Sequence, residues 1–209
     1  MAFIGYVPLL SAIVSISATS YLVWLYNSRK KIYYLLFAAM MFDMFIGQIL
    51  EFYAEAIGWT PGLYKLYYYT SPISPVLGAL GVVALLGRKK ALLVLGLYTL
   101  VVSIILAYRV ATAEINTEAL ELGPYVGGEA MAREARILSP LLTTPGGLVL
   151  IIGSILAYRG DKKVAYLAIL LGALVFMIAG GLLRKGYGEV FLVLELVGTI
   201  LLAYAFSKT

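Results

Sequence analysis

Seven stretches of the chain run for about twenty residues with few or no charges, the length an α-helix needs to cross the roughly 30 Å hydrocarbon core of a bilayer. They fall at 4–26, 32–57, 66–87, 91–113, 141–158, 164–183 and 188–206. Composition agrees with that reading. Of 209 residues, 62% are hydrophobic and 13% charged, against about 45–50% and about 25% in a soluble domain. A soluble fold of this size has too little interior to hide so much apolar surface. The predicted fold is therefore all-α, one polytopic membrane domain of seven helices whose first partner is the lipid bilayer.

The basic residues set the expected orientation. Arg29, Lys30 and Lys31, then Arg88, Lys89 and Lys90, then Arg159, Lys162 and Lys163 fill alternate turns, with Lys208 after the last span and Asp161 the lone acid among them. The other side carries Lys65, Arg109, Arg133, Arg136, Arg184 and Lys185, interspersed with glutamates. The positive-inside rule then puts the N-terminus outside and the C-terminus inside, in a multi-pass protein of the cell membrane. No basic region precedes the first apolar run and three basic residues follow it, so it reads as a retained span rather than a cleaved signal.

Several function classes are disfavoured. The chain has no Cys and no His, which removes thiol chemistry, iron–sulfur ligation and imidazole ligands or bases, and no cofactor is called for. Its net charge of +5 sits in short clusters between apolar runs, a membrane pattern and not a nucleic-acid footprint. There is no Walker loop, dinucleotide turn or activated serine, so an intramembrane enzyme is the least supported class. Residues 188–206 contain no lysine for a retinal Schiff base, no Pro-Gln pair occurs, and no TVGYG-like filter is present.

The pattern of helix, basic turn, helix occurs at 4–57, 66–113 and 141–183, leaving a seventh helix over. The second and third copies share wording: Ser71-Pro72 and Ser139-Pro140 open them, and Gly87-Arg88-Lys89-Lys90 answers Arg159-Gly160-Asp161-Lys162-Lys163. A duplicated hairpin and simple convergence both explain this. The extracytoplasmic loop 114–139 is long enough for structure of its own. Gly123-Pro124 and Gly127-Gly128 break it, and residues 129–138 then predict a short helix with a Glu129–Arg133 pair, either capping the bundle or resting at the headgroups.

A carboxylate at a helix centre costs roughly 2.5–3.5 kcal/mol on insertion scales and is tolerable only facing other helices or water. Asp43 lies 12 residues beyond Lys31, about 18 Å along the helix. Glu195 is deep in the last span. On the second span Gln48, Glu51 and Glu55 form one polar stripe, which Asp43 extends inward. Glu51 lies 20 residues beyond Lys31 and Arg109 lies 19 beyond Lys90, so the two match in depth and are expected to pair across helices. Tyr53, Tyr64, Tyr67, Tyr68 and Tyr69 crowd that level.

Two readings follow. Asp43, Glu195, Glu51, Glu55, Arg109 and Gln48 line an outward-facing cavity that binds a proton, small cation or solute, with Asp43 and Glu195 as the ion sites. Alternatively Glu51–Arg109 is a structural ion pair, the tyrosines are an interfacial belt, and Asp43 bonds Glu195 as a structural link. At the level of the whole protein these correspond to a transporter or channel-like protein and to a non-catalytic subunit of a larger membrane complex or homo-oligomer. Residues 72–75 and 145–147 are candidate unwound entries, and Gly78, Gly81, Gly172, Gly180 and Gly181 are candidate packing positions.

Overall fold

The computed structural model describes residues 3–121, 123 and 125–209; Pro124, one of the predicted loop breakers, lies outside the described residues. Among the described residues the chain is helical with no strand, and seven helices are long and apolar enough to cross a membrane. After a short 3-10 turn at Phe3–Tyr6 come α1 (Val7–Arg29), α2 (Ile32–Ile57), α3 (Pro61–Thr70), α4 (Ile73–Leu85) and α5 (Lys89–Thr112). Two short helices, α6 (Thr117–Glu121) and α7 (Arg133–Arg136), lead into α8 (Ser139–Asp161), α9 (Val164–Leu183) and α10 (Gly188–Lys208). The spans at 32–57 and 164–183 match the expected limits, and the others shift by a few residues, mostly gaining polar ends.

The third span is the one that differs in kind. It begins earlier than expected, at Pro61, and is interrupted between α3 and α4 at Ser71-Pro72. Thr60 starts it, its Oγ1 accepting from the Leu63 N–H at 3.3 Å with Pro61 in the first turn. The interruption has a covalent cause: Pro72 and Pro75 carry no N–H, so the carbonyls of Tyr68 and Ser71 lose their helical donors.

Six spans close into a ring in the order α1, α2, α3–α4, α8, α9, α10 and back to α1, and α5 lies outside it against α3, α4, α7 and α8. Small residues let these helices approach. A methyl placed on Gly81 would fall 2.3 Å from the Phe37 ring, one on Gly153 would fall 2.4 Å from Val82, and one on Gly172 would fall 2.9 Å from Leu202. Gly78 packs likewise, whereas Gly180 and Gly181 have nothing within 4 Å and serve no such contact. At the end bearing the basic turns the ring is filled by apolar side chains, with Phe37 stacked on Phe206 at 4.0 Å among Leu22, Leu25, Met41 and Leu202.

The basic turns reveal a likeness different from the expected one. Lys30 and Lys162 both close their helices in the left-handed conformation, at φ 53° and 57°, each donating its N–H four residues back to Tyr26 or Tyr158. Each ammonium lies over that same tyrosine ring, at 5.7 Å for Lys30 and 5.6 Å for Lys162. The first and third hairpins thus share their turn, and the second, which turns through Gly87 at φ 67°, does not.

The expected unwinding at 145–147 is absent: α8 continues through Pro145. Leu141, whose carbonyl would have bonded the N–H that proline lacks, accepts instead from the Tyr98 hydroxyl at 2.6 Å. That bond ties peripheral α5 to the ring. Tyr98→Phe should cost about 1 kcal/mol, seen as a lower melting temperature and faster amide exchange in the first turns of α8.

Candidate functional site

Inside the ring, toward the end opposite the basic turns, the polar side chains of four elements converge. Gln48, fully buried on α2, is their centre: its Oε1 accepts from Ser15 of α1 at 2.7 Å and its Nε2 donates to Thr199 of α10 at 2.9 Å. Glu195, one turn before Thr199 on α10, is in hydrogen-bonding contact with Gln48 and with Glu51. Glu51, one turn beyond Gln48 on α2, accepts from the Tyr67 hydroxyl of α3 at 2.7 Å. Helical spacing accounts for the assembly, because residues three and four apart share a face and α2 and α10 turn those faces inward.

Glu51 and Glu195 are buried, at 8% and 7% exposure, and each keeps one oxygen, Oε2, without a donor. No ion pair joins either to a basic side chain among the described residues; the charged groups near Glu51 are carboxyls, Glu195 first and Glu55 next. Two carboxyl groups in hydrogen-bonding contact need a proton between them, since a carboxylate can only accept. The arrangement chemically resembles the paired carboxyls that share one proton wherever like charges are forced together.

Arg109 is not where depth alone predicted. It is exposed at the far end of α5, its guanidinium 6.0 Å from the Tyr108 ring centre, and it forms no pair with Glu51. The physical reason is α5's position outside the ring: equal depth does not bring a residue on that helix to the interior. Asp43 also stands apart. It accepts a hydrogen bond from Ser74 of α4 and does not bond Glu195. Eight residues separate it from Glu51, about 80° around the helix, and the two have different partners, Asp43 on α4 and Glu51 on α3 and α10.

Above the pair, Glu51, Glu55, Trp59, Tyr67, Tyr125, Val126, Leu183, Phe191 and Leu192 enclose a cavity of about 10 Å³, room for roughly one water molecule. It is small and partly covered. The segment after α5 folds over this end as a strap, with Val126, Ala130 and Met131 buried against Trp59 and Tyr64, and Tyr64 donating to the Gly127 carbonyl. Tyr125 reaches down to Glu55; burial and that carboxylate push its phenol above the ordinary tyrosine value.

The predicted helix over 129–138 is broken. Gly128–Ala130 forms a 3-10 turn, Met131 bridges Ile115, and the helix resumes only at Arg133–Arg136. Glu129 does not pair with Arg133; its carboxylate accepts from the Gly127 N–H at 3.1 Å. Ser15, Thr199 and Tyr125 escaped sequence reasoning. Thr199 follows Glu195 by four residues, the spacing that could have flagged it, whereas nothing local points to Ser15 or Tyr125. Among the described residues no three metal-ligating side chains of the His, Cys, Asp or Glu type assemble.

No protein-family model, curated protein or solved structure matches the chain. The chain is an integral membrane protein by its seven apolar helices, and the site must speak for its role.

Proposed function

We propose that the protein holds and passes a proton at the Glu51–Glu195 pair, as a proton-translocating or proton-coupled membrane transporter. The observation that carries this reading is the pair itself: two buried carboxyls in contact, with no basic side chain among the described residues paired to either. Ionisable groups inside a membrane mark substrate or proton paths more often than they stabilise a fold. Tyr67, the water-sized cavity, Glu55 and Tyr125 continue from the pair toward the strap and supply groups that can relay a proton in steps. The opposite half of the ring is filled by apolar side chains around the Phe37–Phe206 stack, which would close that side of such a path.

The test is chemical. A hydrophobic carbodiimide reacts with a protonated carboxyl inside a membrane, so it should label the wild-type chain at Glu51 or Glu195, and Glu51→Gln together with Glu195→Gln should abolish labelling at those positions. In liposomes loaded with a pH-sensitive dye, an imposed potential should drive acidification that the double variant lacks. Wild-type protein that neither labels nor moves protons, in a preparation shown to be folded, would exclude the proposal.

A second reading is a non-catalytic subunit of a membrane complex. It draws on α5, which stands outside the ring with one face packed and long aliphatic side chains such as Leu93, Val94 and Ile104 exposed along the other. A stoichiometric partner retained on gentle extraction and lost on Val94→Trp would favour it.

A further inference from the structure

Asp43 is the deep carboxyl that the pair does not use. It lies mid-span on the side of α2 that meets the interruption between α3 and α4, where Ser74 donates to its Oδ2. One turn along α2, Gly47 brings bare backbone against Thr70, with a methyl there falling 4.0 Å from the Thr70 Oγ1. Asp43 and Gly47 therefore face Ser74 and Thr70 across the seam. Pro72 and Pro75 strip the carbonyls of Tyr68 and Ser71 of their helical donors at the same place. Polar backbone freed inside a membrane is costly unless it finds a partner, and helix interruptions of this kind are where transporters coordinate cations with carbonyl oxygens.

We propose that Asp43, the Ser74 hydroxyl and the freed carbonyls of the α3–α4 interruption bind one monovalent alkali cation. The chemistry selects the class. All the donors are hard oxygens, which disfavours zinc, copper and other metals that prefer nitrogen or sulfur. There is a single carboxylate, so one positive charge makes the site neutral, which matters where charge is poorly solvated. Calcium and magnesium usually take more anionic or water ligands than one carboxylate, one hydroxyl and two carbonyls provide. Among the described residues no basic side chain forms an ion pair with Asp43, and Ser74 is the side chain that donates to it. The site is separate from the carboxyl pair and does not depend on the proton reading.

The full chain, purified in lipid nanodiscs, is melted in sodium, lithium, potassium or choline chloride at equal ionic strength. At least one alkali cation should raise the melting temperature over choline by on the order of 5 °C once saturating. Asp43→Asn should abolish that difference whatever its own baseline stability, and Ser74→Ala should move its midpoint to higher cation concentration. Glu51→Gln should leave the difference in place, so failure of the proton reading and failure of this one are separable. Equal melting in choline and every alkali salt overturns the proposal, as does an undiminished alkali response in Asp43→Asn. If Asp43→Asn does not fold, binding to wild type and to Ser74→Ala of whichever alkali cation raised the melting temperature decides: equal affinity of the two, or no binding, overturns it.

Discussion

Gly146→Ala is expected to lower stability by roughly 2–3 kcal/mol, or about 5–10 °C in melting temperature for a chain of this size. The added methyl would lie 2.8 Å from the Val76 nitrogen and 2.9 Å from the Pro75 carbonyl carbon. Those are backbone atoms, fixed by the start of α4, and cannot rotate aside as a side chain does. The α4 and α8 helices would have to part, loosening the ring at the point where Pro145 already relies on Tyr98. Gly147→Ala is the control one residue on. Nothing lies within 4 Å of its methyl, so the substitution only removes unfolded-state freedom and should stabilise by up to about 1 kcal/mol. Opposite signs at adjacent positions would show that close approach, and not helix propensity, sets the value of glycine here.

The spans were legible because hydrocarbon imposes its length on sequence directly, and the limits of α2 and α9 follow from charges and glycines at their ends. The polar stripe on α2 was legible for the same kind of reason, since helical spacing is local. Which face of a helix meets which partner is not local. Glu51 and Arg109 matched in depth yet α5 lies outside the ring, and Glu195 met Glu51 where a bond to Asp43 had been open. The break in the third span lies at prolines already marked as a candidate unwound entry, but its consequence appears only with Asp43 alongside. The strap was hardest to read, because Val126 is buried, and Tyr125 half-buried, beside residues more than sixty positions away such as Trp59.

Gln48→Leu should be among the most damaging conservative-volume changes in the ring, destabilising by about 2–4 kcal/mol. Leucine removes at once the acceptor of Ser15, the donor to Thr199 and a hydrogen-bond partner of Glu195. All of these groups are buried, and none has another described side chain to turn to except Glu195, which would keep only Glu51. Glu51→Gln should do the reverse. Its amide oxygen can still accept from Tyr67 and its NH₂ can donate to Glu195, so the contact that needed a shared proton becomes an ordinary hydrogen bond. Stability should stay level or rise by about 1 kcal/mol, while carbodiimide labelling and proton flux disappear. A network built only to hold the helices would lose stability in both variants. A site in which two carboxyls are kept together for a proton should tolerate the amide and fail in its task, and melting curves set beside flux measurements on these two substitutions distinguish the cases.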